Sequence, residues 1–133
     1  MDFSELNWLA ILVSGLCYYA IGGLWYSPLL FGNAWIRLRK INQWEMTGSM
    51  APMIGAVFVN LGSAFILALL LQATGVQGIA DGLQTAILAG ITISLAIGLN
   101  HLFENAKFKL FLLTIGYHLL AYVAMGIILS AWT

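Results

Sequence analysis

Two histidines and five tyrosines carry most of the chemistry available to this chain. Thr114, His118 and Tyr122 are spaced four apart and share one helical face, with Tyr117 beside His118. Tyr18 and Asn60 interrupt apolar runs elsewhere. Tyr18, Asn60, Tyr117, His118 and Tyr122 form a set that can exchange hydrogen bonds and, through the imidazole, a proton. A second set is Asn100, His101 and Glu104. His101 and Glu104 are three apart on a helix, a spacing that suits an acid–base pair or two metal ligands. Two ligands do not make a metal site, so a capped helix end with interfacial charges is the plainer alternative, and neither metal nor cofactor is expected. The chain has no HExxH helix, phosphate-binding glycine loop or haem-attachment motif. The single cysteine, Cys17, excludes an intrachain disulfide and a CxxC redox site.

The elements that must position these groups follow from composition. The 133 residues are 62% apolar and 8% charged, against about 25% charged in soluble domains. So few charges cannot cover a water-exposed surface, and the lipid bilayer becomes the expected surroundings. Net charge is zero, which leaves no basic patch for nucleic acid. The chain reads as an all-α, integral membrane four-helix bundle in a single domain over 1–133. Spans are predicted at 7–27, 51–74, 79–103 and 108–132. The first is retained rather than cleaved as a signal, because Asp2 and Glu5 precede it where a signal peptide carries positive charge. His118 is about ten residues into the fourth span, roughly 15 Å at helical rise and near the midplane of a core about 30 Å thick. Asn60 is at similar depth in the second span and Tyr18 in the first. An ionisable side chain at that depth is costly unless paired, and marks a functional site by default. The alternative is a neutral His118 bonded to a tyrosine or to Asn60 as structural glue.

Between the first two spans runs GGLWYSPLLFGNAW, Gly22 to Trp35. Ser27-Pro28 ends a helix, since proline disfavours a helical residue before it and lacks its own N–H. Trp25, Tyr26 and Trp35 suit an interfacial belt. Trp35, Leu38 and Ile41 recur every three residues, which predicts a short amphipathic interfacial helix over 34–46. Small residues predict packing faces. Ala10, Ser14, Tyr18, Gly22 and Tyr26 form one stripe; Ala51, Gly55, Val59 and Ser63 form another. Gly82, Ala86, Gly90, Ser94 and Gly98 form the longest, an interface within the bundle or between protomers.

All five basic residues, Arg37, Arg39, Lys40, Lys107 and Lys109, fall in or directly beside the loops after spans one and three. The positive-inside rule then makes loops 28–50 and 104–107 cytoplasmic and puts both termini outside the cell membrane.

The Gly22–Trp35 motif, Phe103-Glu104 and the later Gly116-Tyr117-His118-Leu119 resemble the domain of unknown function 1761 family of small membrane proteins. The resemblance covers nearly the whole chain. It marks Gly23, Trp25, Tyr26, Ser27, Pro28, Phe31, Gly32, Trp35, Glu104, Tyr117 and His118 as signature positions, while 37–50 match no family pattern. It implies a four-span protein and supplies no mechanism. The residues themselves suggest a homodimeric transporter or channel for a small solute or ion at the Tyr18, Asn60, His118 cluster. A structural or accessory subunit packing through the Gly82–Gly98 stripe is the alternative, and a membrane enzyme using His101 and Glu104 is the weakest reading. No Asp or Glu lies at the centre of a span, which argues against a carboxylate-driven multidrug exporter.

Overall fold

A computed structural model describes residues 2–39 and 51–132. After a 3₁₀ turn at Phe3–Glu5 come helices α1 (Trp8–Trp25), α2 (Gly32–Arg39), α3 (Ala51–Ala73), α4 (Gly78–Phe103) and α5 (Phe108–Ala131). Helices α1, α3, α4 and α5 are each long and apolar enough to cross a membrane. The protein is therefore a multi-pass membrane bundle. The helix expected at 34–46 is present from Gly32 to Arg39. Its remainder, with Lys40 and Trp44, lies outside the described residues, as does the side chain of Arg39.

Local chemistry sets the helix ends. Asn7 caps α1, its Oδ1 accepting from the Ala10 N–H at 3.0 Å. Helix α3 ends as Val76 N–H reaches back to the Leu71 carbonyl at 3.1 Å, with Gly75 in the left-handed region at φ 67°. Helix α4 ends the same way: Ala106 N–H donates to the His101 carbonyl at 2.9 Å, and Asn105 takes the left-handed position at φ 55°. Glycine and asparagine are the residues that adopt this conformation at low cost.

The four long helices are most closely packed in the order α3–α1–α5–α4, each antiparallel to the next, around one hydrophobic core to which all four contribute. Helix α1 lies between α3 and α5, and α4 packs almost entirely on α5. Helices α3 and α4, although joined by the tight turn at 74–77, barely touch. That side is therefore the most loosely packed of the bundle.

Lipid provides no hydrophobic drive between helices, so close backbone approach and polar contacts must hold them. Gly15 meets Leu61, where a Cβ would come 2.6 Å from Leu61 Cδ2. At the other interface, Gly82 faces Ser130, Gly126 faces Ala86, Gly90 faces Leu119 and Gly98 faces Phe111. The Gly82–Gly98 stripe is thus an interface within the protomer, occupied by α5 along its length.

The expectation for α3 needs correction. Ala51, Gly55 and Val59 are exposed, while Asn60, Ala64, Leu67, Ala68 and Leu71 are buried. Of the predicted stripe only Ser63 is half-buried, so most of the packed face lies elsewhere round the helix, and Leu61 of α3 fills the space left by Gly15 of α1.

The N-terminal segment straps the end of the bundle that carries both termini. Asp2 exchanges two hydrogen bonds with the Gln72 side chain, at 2.9 and 2.8 Å. Asn7 Nδ2 donates to the Trp132 carbonyl at 2.8 Å. Trp8 stacks on Phe65 with ring centroids 5.6 Å apart.

Candidate functional site

Helices α1 and α5 face each other through Tyr18, Tyr117, His118 and Tyr122. The Tyr18 hydroxyl lies 2.5 Å from His118 Nδ1. Two arrangements satisfy this contact, because a neutral imidazole has one donor and one acceptor nitrogen. Either Tyr18 donates to Nδ1 and leaves Nε2–H as a donor, or Nδ1–H donates to the Tyr18 oxygen and leaves Nε2 as an acceptor. In both, the second nitrogen of His118 remains available for a further partner.

Rings enclose the pair. Tyr117 lies 5.3 Å from Tyr18 and 4.6 Å from His118, and Tyr122 lies edge-on to Tyr18 at 5.8 Å, measured between centroids. Tyr18 and Tyr122 are buried, while Tyr117 and His118 are half-buried. Helix α3 contributes the third wall. Asn60, itself buried, sits beside the Tyr117 hydroxyl, and Ser63 beside that of Tyr122. All five residues of the predicted intramembrane set therefore meet in one cluster.

The Gly22–Trp35 stretch, the hinge between α1 and α2, supports this cluster. Trp25 donates its indole N–H to the Leu113 carbonyl of α5 at 3.0 Å and packs on Phe31 at 4.5 Å. Tyr26 stands between Tyr117, at 5.5 Å, and Trp35, at 5.7 Å. The backbone beneath is tightly bonded: Phe31 N–H reaches the Trp25 carbonyl and Gly32 N–H the Ser27 carbonyl, both at 2.9 Å. The Ser27 hydroxyl donates to the Leu24 carbonyl at 2.6 Å. A Cβ on Gly32 would stand against the Tyr26 carbonyl and 2.8 Å from that of Ser27, so glycine is required there by space. The aromatic residues expected only to fix depth thus also brace α5. Gly23 and Pro28, by contrast, are exposed, and nothing approaches within 4 Å of where a Gly23 Cβ would be.

Two further glycines matter that the motif spacing did not single out as site residues. A Cβ on Gly22 would lie 2.8 Å from the Tyr117 hydroxyl oxygen, and one on Gly116 would lie 2.9 Å from Trp25. They let the Tyr117 and Trp25 rings enter the α1–α5 interface. The signal in the sequence was their position, each within one turn of a motif aromatic.

The second predicted set is not assembled in the same way. His101 is buried and its ring meets Phe111 edge-on at 6.0 Å, whereas Asn100 and Glu104 are exposed. Among the described residues, no group of three His, Cys, Asp or Glu side chains is placed to hold a metal ion. His101 Nδ1 is buried and has no hydrogen-bond partner among the described residues.

The family pattern described as "Protein of unknown function (DUF1761)" matches residues 9–130. No curated protein and no solved structure matches the chain.

Proposed function

The chain belongs to that family, and because the family's function is unknown we propose an activity from geometry: a small homodimeric transporter or channel that passes a small polar solute or ion along the Tyr18–His118 cluster. The observation that carries this reading is the 2.5 Å Tyr18–His118 contact at the middle of two apolar helices. A polar pair at that depth is expensive in hydrocarbon and is normally kept for a pathway or a binding step. The cluster also holds more polar atoms than a structural clasp needs, with Asn60, Ser63, Tyr117 and Tyr122 around one imidazole. A hydroxyl and an imidazole in contact can relay a proton or coordinate a hydrogen-bonding solute.

The homodimer rests on the loosely packed side of the bundle. Helices α3 and α4 make the loosest contact in the bundle, and a second copy set against them supplies a further wall. The protein sits in the cell membrane with both termini outside, on the grounds of the basic loops alone. The accessory-subunit reading loses its main support, since α5 already occupies the Gly82–Gly98 stripe. The enzyme reading loses support because His101 is buried while Glu104 is exposed.

The test is flux into proteoliposomes containing a pH-sensitive dye, driven by an imposed potential and repeated with small polar solutes. The expected result is uptake that falls at least tenfold in His118→Phe and in Tyr18→Phe, with helical content and particle size unchanged. Uptake no greater than in protein-free vesicles, or equal in wild type and both variants, would sink the proposal.

A further inference from the structure

One hydroxyl inside the bundle is held unlike the others. Ser63, Thr85, Thr92, Ser94, Thr114 and Ser130 each donate to the carbonyl four residues earlier in their own helix. That bond is the local way to satisfy a hydroxyl within a helix. Ser14 of α1 does not make it. Its side chain has no exposed surface, and its Oγ is buried with no hydrogen-bond partner among the described residues. A buried hydroxyl left unpaired carries its full desolvation cost, and a functional role or a water is what accounts for one.

Ser14 also stands on the line to the Tyr18–His118 pair. Ala10, Ser14 and Tyr18 are one turn apart on a buried face of α1. At the end that carries both termini, Leu6 and Asn7, just before this face, line a pocket of about 450 Å³ with Leu129 and Ser130 near the end of α5. Glu5 is the one ionisable side chain among the residues that line it. Between pocket and pair the packing is closed, since Ala10, Ser14 and Met125 have no exposed surface. Such packing bars a solute of several heavy atoms. A proton needs only a transient file of water, which small motions of the helices admit.

We propose that the pathway carries protons and that Ser14 is its station between the terminal-side pocket and Tyr18, with water completing the chain on each side of it. This deepens the transport reading above and rests on it. A water between Ser14 and Tyr18 needs at least two polar partners, which Ser14 Oγ and a lone pair of the Tyr18 hydroxyl supply. Every group on the route accepts one proton and gives up one. Ser14 Oγ takes a proton from the pocket side and passes its own hydrogen to the water, which passes one to Tyr18. Tyr18 gives its hydroxyl hydrogen to His118 Nδ1, 2.5 Å away, and His118 releases its Nε2 hydrogen on the far side. No electron moves, and no group keeps an extra proton.

The test uses the full chain in proteoliposomes with an internal pH-sensitive dye and a potassium diffusion potential, alongside a swelling assay with urea and glycerol. Wild type is expected to take up protons faster than protein-free vesicles and to admit neither solute. Ser14→Ala is expected to lower proton uptake at least tenfold, yet to resist unfolding in mixed micelles at least as well as wild type, because it removes an unpaired hydroxyl. A merely structural serine would not show that combination. Ser94→Ala, whose hydroxyl is satisfied by the Gly90 carbonyl, is expected to leave uptake unchanged. Proton uptake by Ser14→Ala equal to wild type, with loss in His118→Phe, overturns the role of Ser14 and leaves the transport reading standing. Uptake of urea or glycerol that is lost in His118→Phe, without proton uptake, overturns the proton assignment alone. Equal losses in Ser14→Ala and Ser94→Ala, or a Ser14→Ala variant that is unfolded or less stable than wild type, overturn the proposal. Absence of any uptake by wild type overturns the proposal and the transport reading together.

Discussion

Gly22 and Gly23 are neighbours near the end of α1, and their replacement by alanine is expected to have opposite effects. Both substitutions remove a glycine from a helix, which favours the folded state by about 0.5–1 kcal/mol. A Cβ at Gly23 meets nothing within 4 Å, so that gain stands alone. A Cβ at Gly22 falls 2.8 Å from the Tyr117 hydroxyl oxygen and 3.0 Å from its Cζ. The ring cannot swing aside freely, because Tyr18, Tyr26 and His118 pack around it at 5.3, 5.5 and 4.6 Å. Overpacking of this kind costs about 1–3 kcal/mol. The propensity term is common to both variants, so their difference isolates the overlap: Gly22→Ala is expected to be less stable than Gly23→Ala by about 1–3 kcal/mol. The assay is reversible unfolding in mixed micelles by added denaturing detergent, followed by tryptophan fluorescence and far-ultraviolet circular dichroism. Equal stability of the two variants, or Gly22→Ala the more stable, would show that the Tyr117 ring is not held as described. The bracing of the site by the hinge would then fail with it.

Tyr18→Phe removes the hydroxyl from His118 Nδ1 and is expected to cost about 0.6 kcal/mol, the average for interhelical hydrogen bonds in membranes, and at most about 1.7; the same unfolding assay reads it, and no loss refutes the bond. Gly126→Leu drives a side chain into Ala86 and the Gly82 carbonyl and is expected to destabilise the α4–α5 pair by about 1–3 kcal/mol. Gly62→Ala, with nothing within 4 Å, is expected to be neutral or slightly stabilising, and a large effect there would contradict the packing of α3. Hydrogen bonds from the Ser4 hydroxyl and Ser4 N–H hold the Asp2 carboxyl below its ordinary value. A lowered value in the folded state stabilises above the ordinary carboxylate range and is lost as pH falls through the lowered value. The small excess in thermal midpoint of wild type over Asp2→Ala is therefore expected at neutral pH and should vanish in acid. Growth of that excess on acidification would refute the assignment.

The helices themselves were legible because length and hydropathy alone determine them in lipid: every backbone group must bond within its own helix. Predicted spans and observed helices differ by a few residues at the ends, where Asn7, Gly75 and Asn105 set the boundaries through their own side chains or backbone conformation. Depth was legible for the same reason, since a rise of about 1.5 Å per residue converts sequence position into height. That is why Tyr18, Asn60 and His118 were expected at one level and are found together. The direction in which each helix faces was not legible. Apolar residues run all round the spanning helices, so no amphipathic contrast marks an inward face, and small-residue spacing pointed to the correct face of α4 and to the wrong one of α3.

The sequence by itself therefore determined the number of crossings, their depth and the residues able to do chemistry at that depth. Tertiary structure decided which helices touch. It put α1 and α5 at the centre of the packing order, spent the α4 stripe inside the protomer and left α3 and α4 in the loosest contact. It also turned Trp25 and Tyr26 inward onto α5, beside the Tyr18–His118 pair. The physical reason is that helix association in lipid depends on short-range shape and a few polar contacts between residues far apart in sequence. Such complementarity exists only once the helices are side by side.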